Sequence, residues 1–192
     1  MKKIVTSAVL ALVSAMALAN EPGKTDTGLD YTKIEVDYMS ATINDSTWNG
    51  YYTSGSFLVS ENVFLLGNYA SVSRSSVIVE KSNIGLGYRL PIAASTDFFT
   101  TLSYYSQTVE SDSSKATDVG GSLGLGVRAK LSADADVVGT YHYISADSNT
   151  YNNYSVSLKY NVTQSIFVTG GYTSQTGASS ATAYLVGAGV RF

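Results

Sequence analysis

The sequence predicts an all-β membrane protein, a transmembrane antiparallel up-and-down β-barrel of ten strands with eight strands as the alternative. Three observations predict this fold. Segments of alternating polar and apolar residues repeat along the chain, the N-terminus resembles a secretion signal, and the last predicted strand ends on an aromatic residue. After residue 19 no apolar run approaches the length of a membrane-spanning helix. In lipid only helices and closed barrels give every backbone polar group a partner, so the membrane form of this chain is a barrel.

The N-terminus has the layout of a secretory signal peptide. Lys2 and Lys3 form a positive region, residues 4–16 are apolar and rich in Ala, and residues 17–19 read Ala-Leu-Ala, an A-x-A cleavage site. The apolar run is shorter than the roughly 20 residues of a transmembrane helix. We therefore expect a cleaved signal, a flexible leader and an outer-membrane barrel, comprising residues 1–19, 20–29 and 30–192.

Composition narrows the class of protein further. Of the 12 Lys and Arg residues two belong to the signal, which leaves 10 against 15 Asp and Glu in the mature chain. This acidic balance argues against nucleic acid as a partner. The 15 Tyr, 17 Gly and only two Pro residues fit an all-β chain. Because the sequence has no Cys, disulfides, thiolate metal sites and a lipoprotein anchor are excluded.

Ten segments alternate with period two, so each has one apolar and one polar face. In the eighth segment Tyr154, Val156 and Leu158 share one face, while Ser155 and Ser157 share the other. An even strand number places both termini at one end of a barrel, which in the outer membrane is the periplasmic end. The predicted strands are 31–42, 49–59, 63–74, 80–90, 97–109, 117–131, 136–147, 151–162, 166–176 and 181–192.

The C-terminal strand carries an insertion signal. Phe192 ends the chain, and apolar residues lie two and eight positions before it, at Val190 and Tyr184. This pattern resembles the C-terminal signal of bacterial outer-membrane barrels. It implies recognition by the barrel-assembly machinery and a location in the outer membrane of a Gram-negative cell.

Two further stretches resemble a known family. Residues 50–70 are similar to a strand-turn-strand unit of the small proteobacterial outer-membrane β-barrel proteins (porin family, OmpX- and opacity-like), and residues 84–92 are similar to the fourth strand of that family. The resemblance covers essentially the whole mature chain and implies a porin-like barrel in contact with outer-membrane lipid and lipopolysaccharide. We expect a monomer. The OmpX-like proteins of this family have eight strands and larger external loops, whereas this chain is predicted to have ten strands with short connections.

The inward face is predicted to carry a charge network. A charged side chain facing lipid costs a few kcal/mol at the bilayer midplane, so charges on the strands are expected to point into the lumen. Bases outnumber acids in this set, and unpaired bases in a water-filled lumen favour anions. The predicted network comprises Lys33, Glu35, Asp37, Arg89, Arg128, Lys130, Lys159 and Arg191, with Asp97 at the same end.

The sequence leaves three functions open. The first is a structural barrel, plugged by its own ion pairs, or a narrow anion-preferring pore for small solutes. The second is a surface interaction or adhesion protein that acts through its short external loops. The third is a lipid-modifying or proteolytic barrel enzyme.

Nothing in the sequence indicates catalysis. His142 is the single His in the chain, and the predicted inward acids lie far from it along the strands. A hydrolase needs a nucleophile, a base and an acid held together. We therefore expect no enzyme activity, no catalytic or metal-binding residues and no cofactor.

Overall fold

The computed structural model describes residues 29–147 and 149–192, so the predicted signal and residues 20–28 of the predicted leader lie outside the described residues. The described chain forms ten β-strands that close into one antiparallel barrel, in which each strand pairs with its sequence neighbours and the first pairs with the last. The predicted ten-strand barrel is confirmed, and the eight-strand alternative is wrong. The strands are β1 Lys33–Ile43, β2 Ser46–Leu58, β3 Val63–Arg74, β4 Val77–Ala93, β5 Thr96–Glu110, β6 Lys115–Lys130, β7 Ala135–Ala146, β8 Asn149–Asn161, β9 Ile166–Gly177 and β10 Ala181–Arg191.

The barrel has two different ends. The first and last described residues, Leu29 and Phe192, lie at one end, here called the terminal end, and the opposite end is called the distal end. No helix within the described ranges is long and apolar enough to cross a membrane. The terminal end carries connections 59–62, 94–95, 131–134 and 162–165. The distal end carries connections 44–45, 75–76, 111–114 and 178–180 and the turn at Asp147.

The hairpins at the distal end are tighter than the sequence predicted. The connection predicted at residues 43–48 consists of Asn44 and Asp45 alone, which have φ angles of 48° and 59°. Two consecutive residues with positive φ match the twist of the flanking strands and close a hairpin in the smallest number of residues. Ser75 and Asp147 also have positive φ, at 53° and 47°. The β-ladder therefore continues to the rim, and β2 begins three residues earlier than predicted.

The segment before β1 turns into the lumen. The first strand was predicted from residue 31 but begins at Lys33, because the Asp30 side chain accepts a hydrogen bond from the Thr32 N–H at 2.8 Å and bends the chain there. Leu29, which the sequence placed in the leader, is only 1 % exposed, and Tyr31 is also buried. Residues 29–32 thus belong to the interior of the barrel.

The exterior of the barrel is apolar between two aromatic girdles. Leu102 and Val186 stand out from the wall with 69 % and 67 % of their side chains exposed. Such a surface is stable only against lipid, where Tyr rings sit at the boundary and place their hydroxyls in the headgroup layer. Outward aromatic residues near the terminal end are Tyr88, Phe98, Tyr160 and Phe192. The second girdle, called the Tyr ring, consists of Tyr38, Tyr51, Tyr69, Tyr104, Tyr143, Tyr154, Tyr172 and Tyr184.

Candidate functional site: the lumen

A plug of aromatic and cationic side chains fills the lumen at the terminal end. Two guanidinium groups lie over the Tyr31 ring, Arg89 at 5.5 Å and Arg128 at 5.3 Å from its centre. The ring also contacts the Phe64 ring at 4.8 Å, which in turn lies 6.2 Å edge-on from Phe99. Cations over an aromatic ring are attracted by its negative face. Residues of the pre-strand segment are thereby held across the lumen.

Each of the two arginines is paired with a buried carboxylate. Arg89 Nη1 donates to Asp97 Oδ2 at 3.1 Å, and Arg89 Nε donates to the Glu61 carbonyl at 2.7 Å. Arg128 Nε donates to Asp136 Oδ2 at 3.0 Å, and Arg128 Nη1 donates to the Asp30 carbonyl. Charge pairs of this kind survive burial only when the remaining hydrogen-bonding positions are also used. The two arginines therefore link the barrel wall to the segment that crosses the lumen.

A second charged group lies beside Phe167. Lys33 Nζ is 2.9 Å from Glu35 Oε2, and Lys159 Nζ is 3.8 Å from the same oxygen. The Phe167 ring is 1 % exposed and lies 4.1 Å from Lys159 Nζ, with Lys33 and Arg191 each at 5.9 Å. Two lysines thus share one carboxylate, and three cations lie over one aromatic ring. This group is called the Phe167 cluster.

The structure divides the predicted charge network among several places. Arg89, Asp97 and Arg128 form the plug, while Lys33, Glu35, Lys159 and Arg191 form the Phe167 cluster. Asp37 is 1 % exposed, and neither of its carboxylate oxygens has a hydrogen-bond donor among the described residues. Lys130 is half-buried at the terminal end and makes no ion pair with any described residue. The predicted insertion residues Tyr184, Val190 and Phe192 all point outward and are exposed.

Sequence reasoning missed four lumen residues. Asp136 opens the seventh predicted strand in phase with inward Thr140 and His142, so its inward direction could have been deduced from the alternation. Lys81 lies on β4 in phase with inward Arg89, so its inward direction could have been deduced in the same way. Phe167 lies on β9, where both faces carry aromatic or hydroxyl residues and the phase is ambiguous. Tyr31 opens the predicted first strand in phase with inward Lys33 and Glu35, so its inward direction could also have been deduced, although the bend before Lys33 could not.

The geometry around His142 offers little chemistry. His142 Nδ1 lies 3.4 Å from Ser122 Oγ, which is a long contact for a hydrogen bond. Within residues 29–147 and 149–192 this imidazole has no carboxylate ion-pair partner. In the same described ranges no three His, Asp or Glu side chains are grouped in a way that could hold a metal ion. The lumen chemistry that the structure does display is charge pairing and cation–aromatic contact.

Comparisons with known proteins find structural similarity but no sequence match. No family model matches the sequence, and no curated protein matches it. The chain is similar in structure to the attachment invasion locus protein Ail of Yersinia pestis, with 11 % identity, 83 % of this chain and 95 % of that chain covered, and a TM-score of 0.41. The N-terminal β-barrel domain of Pseudomonas aeruginosa OprF shows 15 % identity, coverage of 84 % and 98 %, and a TM-score of 0.41. The NanC porin shows 9 % identity, coverage of 82 % and 100 %, and a TM-score of 0.48.

These similarities concern the barrel fold alone. The assignment to a membrane follows from this chain itself, since its ten strands close and its outward face is apolar between two aromatic girdles. The protein is an outer-membrane β-barrel.

Proposed function

We propose that this protein is an outer-membrane barrel closed to solutes by its own N-terminal segment, with both termini on the periplasmic side. The observation that supports this proposal is Tyr31, which is buried in the lumen with the guanidinium groups of Arg89 and Arg128 over its ring. To open a path at the terminal end, the barrel must break two cation–aromatic contacts and the Arg128 bond to Asp30. A closed lumen makes the protein a structural or binding barrel of the cell envelope and not a general diffusion pore.

The second candidate is a narrow anion-preferring pore. The cations of the Phe167 cluster support it, because Lys33 and Lys159 share the carboxylate of Glu35 while Arg191 lies over the Phe167 ring without an ion pair among the described residues. In the plug, by contrast, each arginine has its own aspartate. An excess of positive charge would therefore act on solutes only after residues 29–32 have left the lumen.

Conductance separates the two candidates. Purified barrel in planar bilayers is expected to show negligible current. Tyr31→Ala removes the ring that both guanidiniums contact and is expected to produce anion-selective steps, while Tyr184→Ala, a change on the outward face, stays silent. Steady anion-selective current through the unaltered protein would contradict the closed barrel and support the anion-preferring pore. Cation-selective current in the unaltered protein would contradict both candidates.

The orientation of the barrel can be tested by cysteine labelling of intact cells. Single cysteines at the distal end are expected to react with an impermeant reagent, and those at the terminal end are not, because that end faces the periplasm in the proposal. Labelling at Glu61 but not at Asp45 would reverse the orientation. The distal positions are Asp45, Ser76, Ser113, Asn149 and Ser179, and the terminal positions are Glu61, Ser95, Ala133 and Gln164.

Assembly and surface recognition complete the proposal. Tyr184, Val190 and Phe192 serve as the signal for the barrel-assembly machinery, and deletion of Phe192 is expected to leave unfolded protein in the periplasm. Normal amounts of heat-modifiable barrel from that deletion would argue against this role. Adhesion through external loops has little support, since the distal connections contain only two to four residues.

A further inference from the structure

Between the plug and the distal end the lumen contains a cavity of about 330 Å³. This volume lies at the lower end of the roughly 300–1,000 Å³ of ligand pockets in proteins. The cavity reaches Ile43 and Ala181, the last inward residues before the distal rim on β1 and β10. Because the plug fills the lumen at the terminal end, the cavity is a blind pocket that suits a small ligand.

One base, Lys81 on β4, reaches across this pocket. Its Nζ donates a hydrogen bond to Gln175 Oε1 on β9 at 2.7 Å. In the closed barrel β4 and β9 are five strands apart in either direction, so the two side chains meet from opposite walls. Both residues line the cavity, and Gln175 Nε2 donates in turn to Ser179 Oγ at 3.1 Å. The ammonium group of Lys81 therefore lies inside the lumen, away from the strand that carries it.

Lys81 has no carboxylate within ion-pairing distance among the described residues. Two carboxylates, those of Glu35 and Asp37, line the same cavity. They lie beside each other and beside the ammonium groups of Lys33 and Lys159, so their charges act mainly on that group. The charge of Lys81 is thus not neutralised by the acids of the pocket.

Among the inward carboxylates, Asp118 is nearest to Lys81 in register. Lys81 pairs with Gln107 on β5 and Gln107 pairs with Asp118 on β6, which puts two strand spacings of about 5 Å between the two backbones. Asp118 accepts a hydrogen bond from Asn149 Nδ2 at 3.2 Å. An ammonium group has three donors, and Gln175 is the one acceptor that Lys81 has among the described residues. A charge held away from water without a counter-ion is unfavourable, so the two remaining donors favour an anion.

Apolar side chains border Lys81 on the same part of the wall. Val79 is the next inward residue of β4, about 7 Å along the strand, and it pairs in register with Val72 on β3. Ala70 pairs in register with Lys81 itself. Val72 and Val79 belong to an apolar cluster with residues of β1 and β10. The members of this cluster that line the cavity are called the collar and are Met39, Ala41, Ile43, Val72, Val79 and Ala183.

We propose that the pocket binds a short aliphatic monocarboxylate. Its carboxylate accepts hydrogen bonds from the two remaining donors of Lys81, and its alkyl chain lies on the collar. A chain of a few carbon atoms covers the step of about 7 Å from Lys81 to Val79. One base beside an apolar wall matches one negative charge on an apolar body, whereas a dianion would keep one charge unpaired.

Trp48, the single Trp in the sequence, packs against the collar and reports on it. The refolded barrel in detergent micelles is titrated at neutral pH with four probes. Hexanoate has the charge and the chain, hexanamide and hexylammonium keep the chain without the negative charge, and acetate keeps the charge without the chain. Trp48 emission is expected to change saturably with hexanoate, and the other three probes are expected to bind at least tenfold more weakly. Calorimetry checks each affinity independently of the emission signal.

Two variants of one residue assign the charge. Lys81→Met removes the charge with little change of side-chain length and is expected to weaken hexanoate binding at least tenfold, so that hexanoate and hexanamide bind alike. Lys81→Arg keeps the charge and is expected to bind hexanoate nearly as well as the unaltered protein. Lys130→Met, the same change outside the pocket, should leave hexanoate binding unchanged.

Equal affinity for hexanoate and hexanamide, acetate binding as tight as hexanoate binding, or no hexanoate binding by calorimetry would overturn the proposal. An unchanged hexanoate affinity in Lys81→Met would also overturn it. If Lys81→Met does not reach the heat-modifiable folded form, the four probes on the unaltered protein decide. The titration requires neither a closed lumen nor a particular orientation in the membrane, so its result is independent of the conductance and labelling tests.

Discussion

The two halves of the barrel wall are built with opposite patterns. On β5 between the terminal end and the Tyr ring, Leu102 points outward and Ser103 points inward. Beyond the Tyr ring on the same strand, Thr108 points outward and Val109 points inward. The membrane half is apolar outside, whereas the distal half is polar outside and encloses small apolar clusters such as Tyr105, Ile144, Ala146 and Tyr151.

The reversal shows which solvent each half meets. Side chains alternate along a strand in both halves, but the apolar face turns to lipid in one and to the barrel interior in the other. The distal half is therefore organised like a small water-soluble barrel. The membrane half relies on ion pairs and aromatic contacts for its interior. Four pairs of substitutions test this division.

The largest effect is expected from the plug. Arg128→Ala removes both Arg128–Asp136 contacts and leaves a buried carboxylate without its partner. Such a change costs about 3–5 kcal/mol. Urea unfolding of the refolded barrel, followed by its heat-modifiable gel migration, measures the loss. Lys115→Ala breaks an exposed pair with Glu110 at the distal rim and is expected to leave stability unchanged. Equal behaviour of the two variants would show that the plug does not stabilise the barrel.

The position of the lipid boundary is tested on β5. Leu102→Arg places a charge on the lipid-facing surface and is expected to destabilise the barrel by about 2–4 kcal/mol when it is folded into vesicles. Thr108→Arg lies beyond the Tyr ring and should cost no more than about 1 kcal/mol. Comparable losses at the two positions would mean that the bilayer extends past the Tyr ring.

Glycines distinguish the packed interior from the outer surface. A Cβ at Gly87 would come within 2.1 Å of the Phe64 ring, whereas a Cβ at Gly139 would meet nothing within 4 Å. Gly87→Ala is therefore expected to displace the plug and cost about 1–3 kcal/mol, and Gly139→Ala is expected to be neutral. Unfolding midpoints in urea give the comparison. A neutral Gly87→Ala would indicate that the Phe64 ring can move freely.

The smallest effect concerns hydroxyl groups inside the two halves. Val72→Thr puts an unpartnered hydroxyl into the apolar cluster around Ala41 and Ala183, at a cost of about 1 kcal/mol. Thr101→Val in the membrane half removes a buried hydroxyl that has no partner among the described residues, so stability should hold or rise. A loss of stability in Thr101→Val would point to a bound water or ligand at that hydroxyl.

The strand pattern was readable from the sequence because it depends on local geometry. Successive side chains of a strand point to opposite faces, so Lys159 and Leu158 lie on different faces of β8 independently of the tertiary structure. The strand number, the antiparallel order and the outward Tyr residues followed from the same rule. Strand ends were less accurate, since Asn44 and Asp45 adopt positive φ and shorten the turn.

Only the closed barrel decided which inward groups meet. The sequence placed Arg89 and Arg128 on one face of their strands, but their pairing with Asp97 and Asp136 depends on the register between neighbouring strands. The contact of Tyr31 with both arginines depends on where residues 29–32 enter the lumen, because alternation gives the inward direction of Tyr31 but not the side chains that it meets. The sequence by itself determined the wall, because side-chain direction is a local property of each strand. The plug and the pocket required the tertiary structure, because both bring together residues from distant strands.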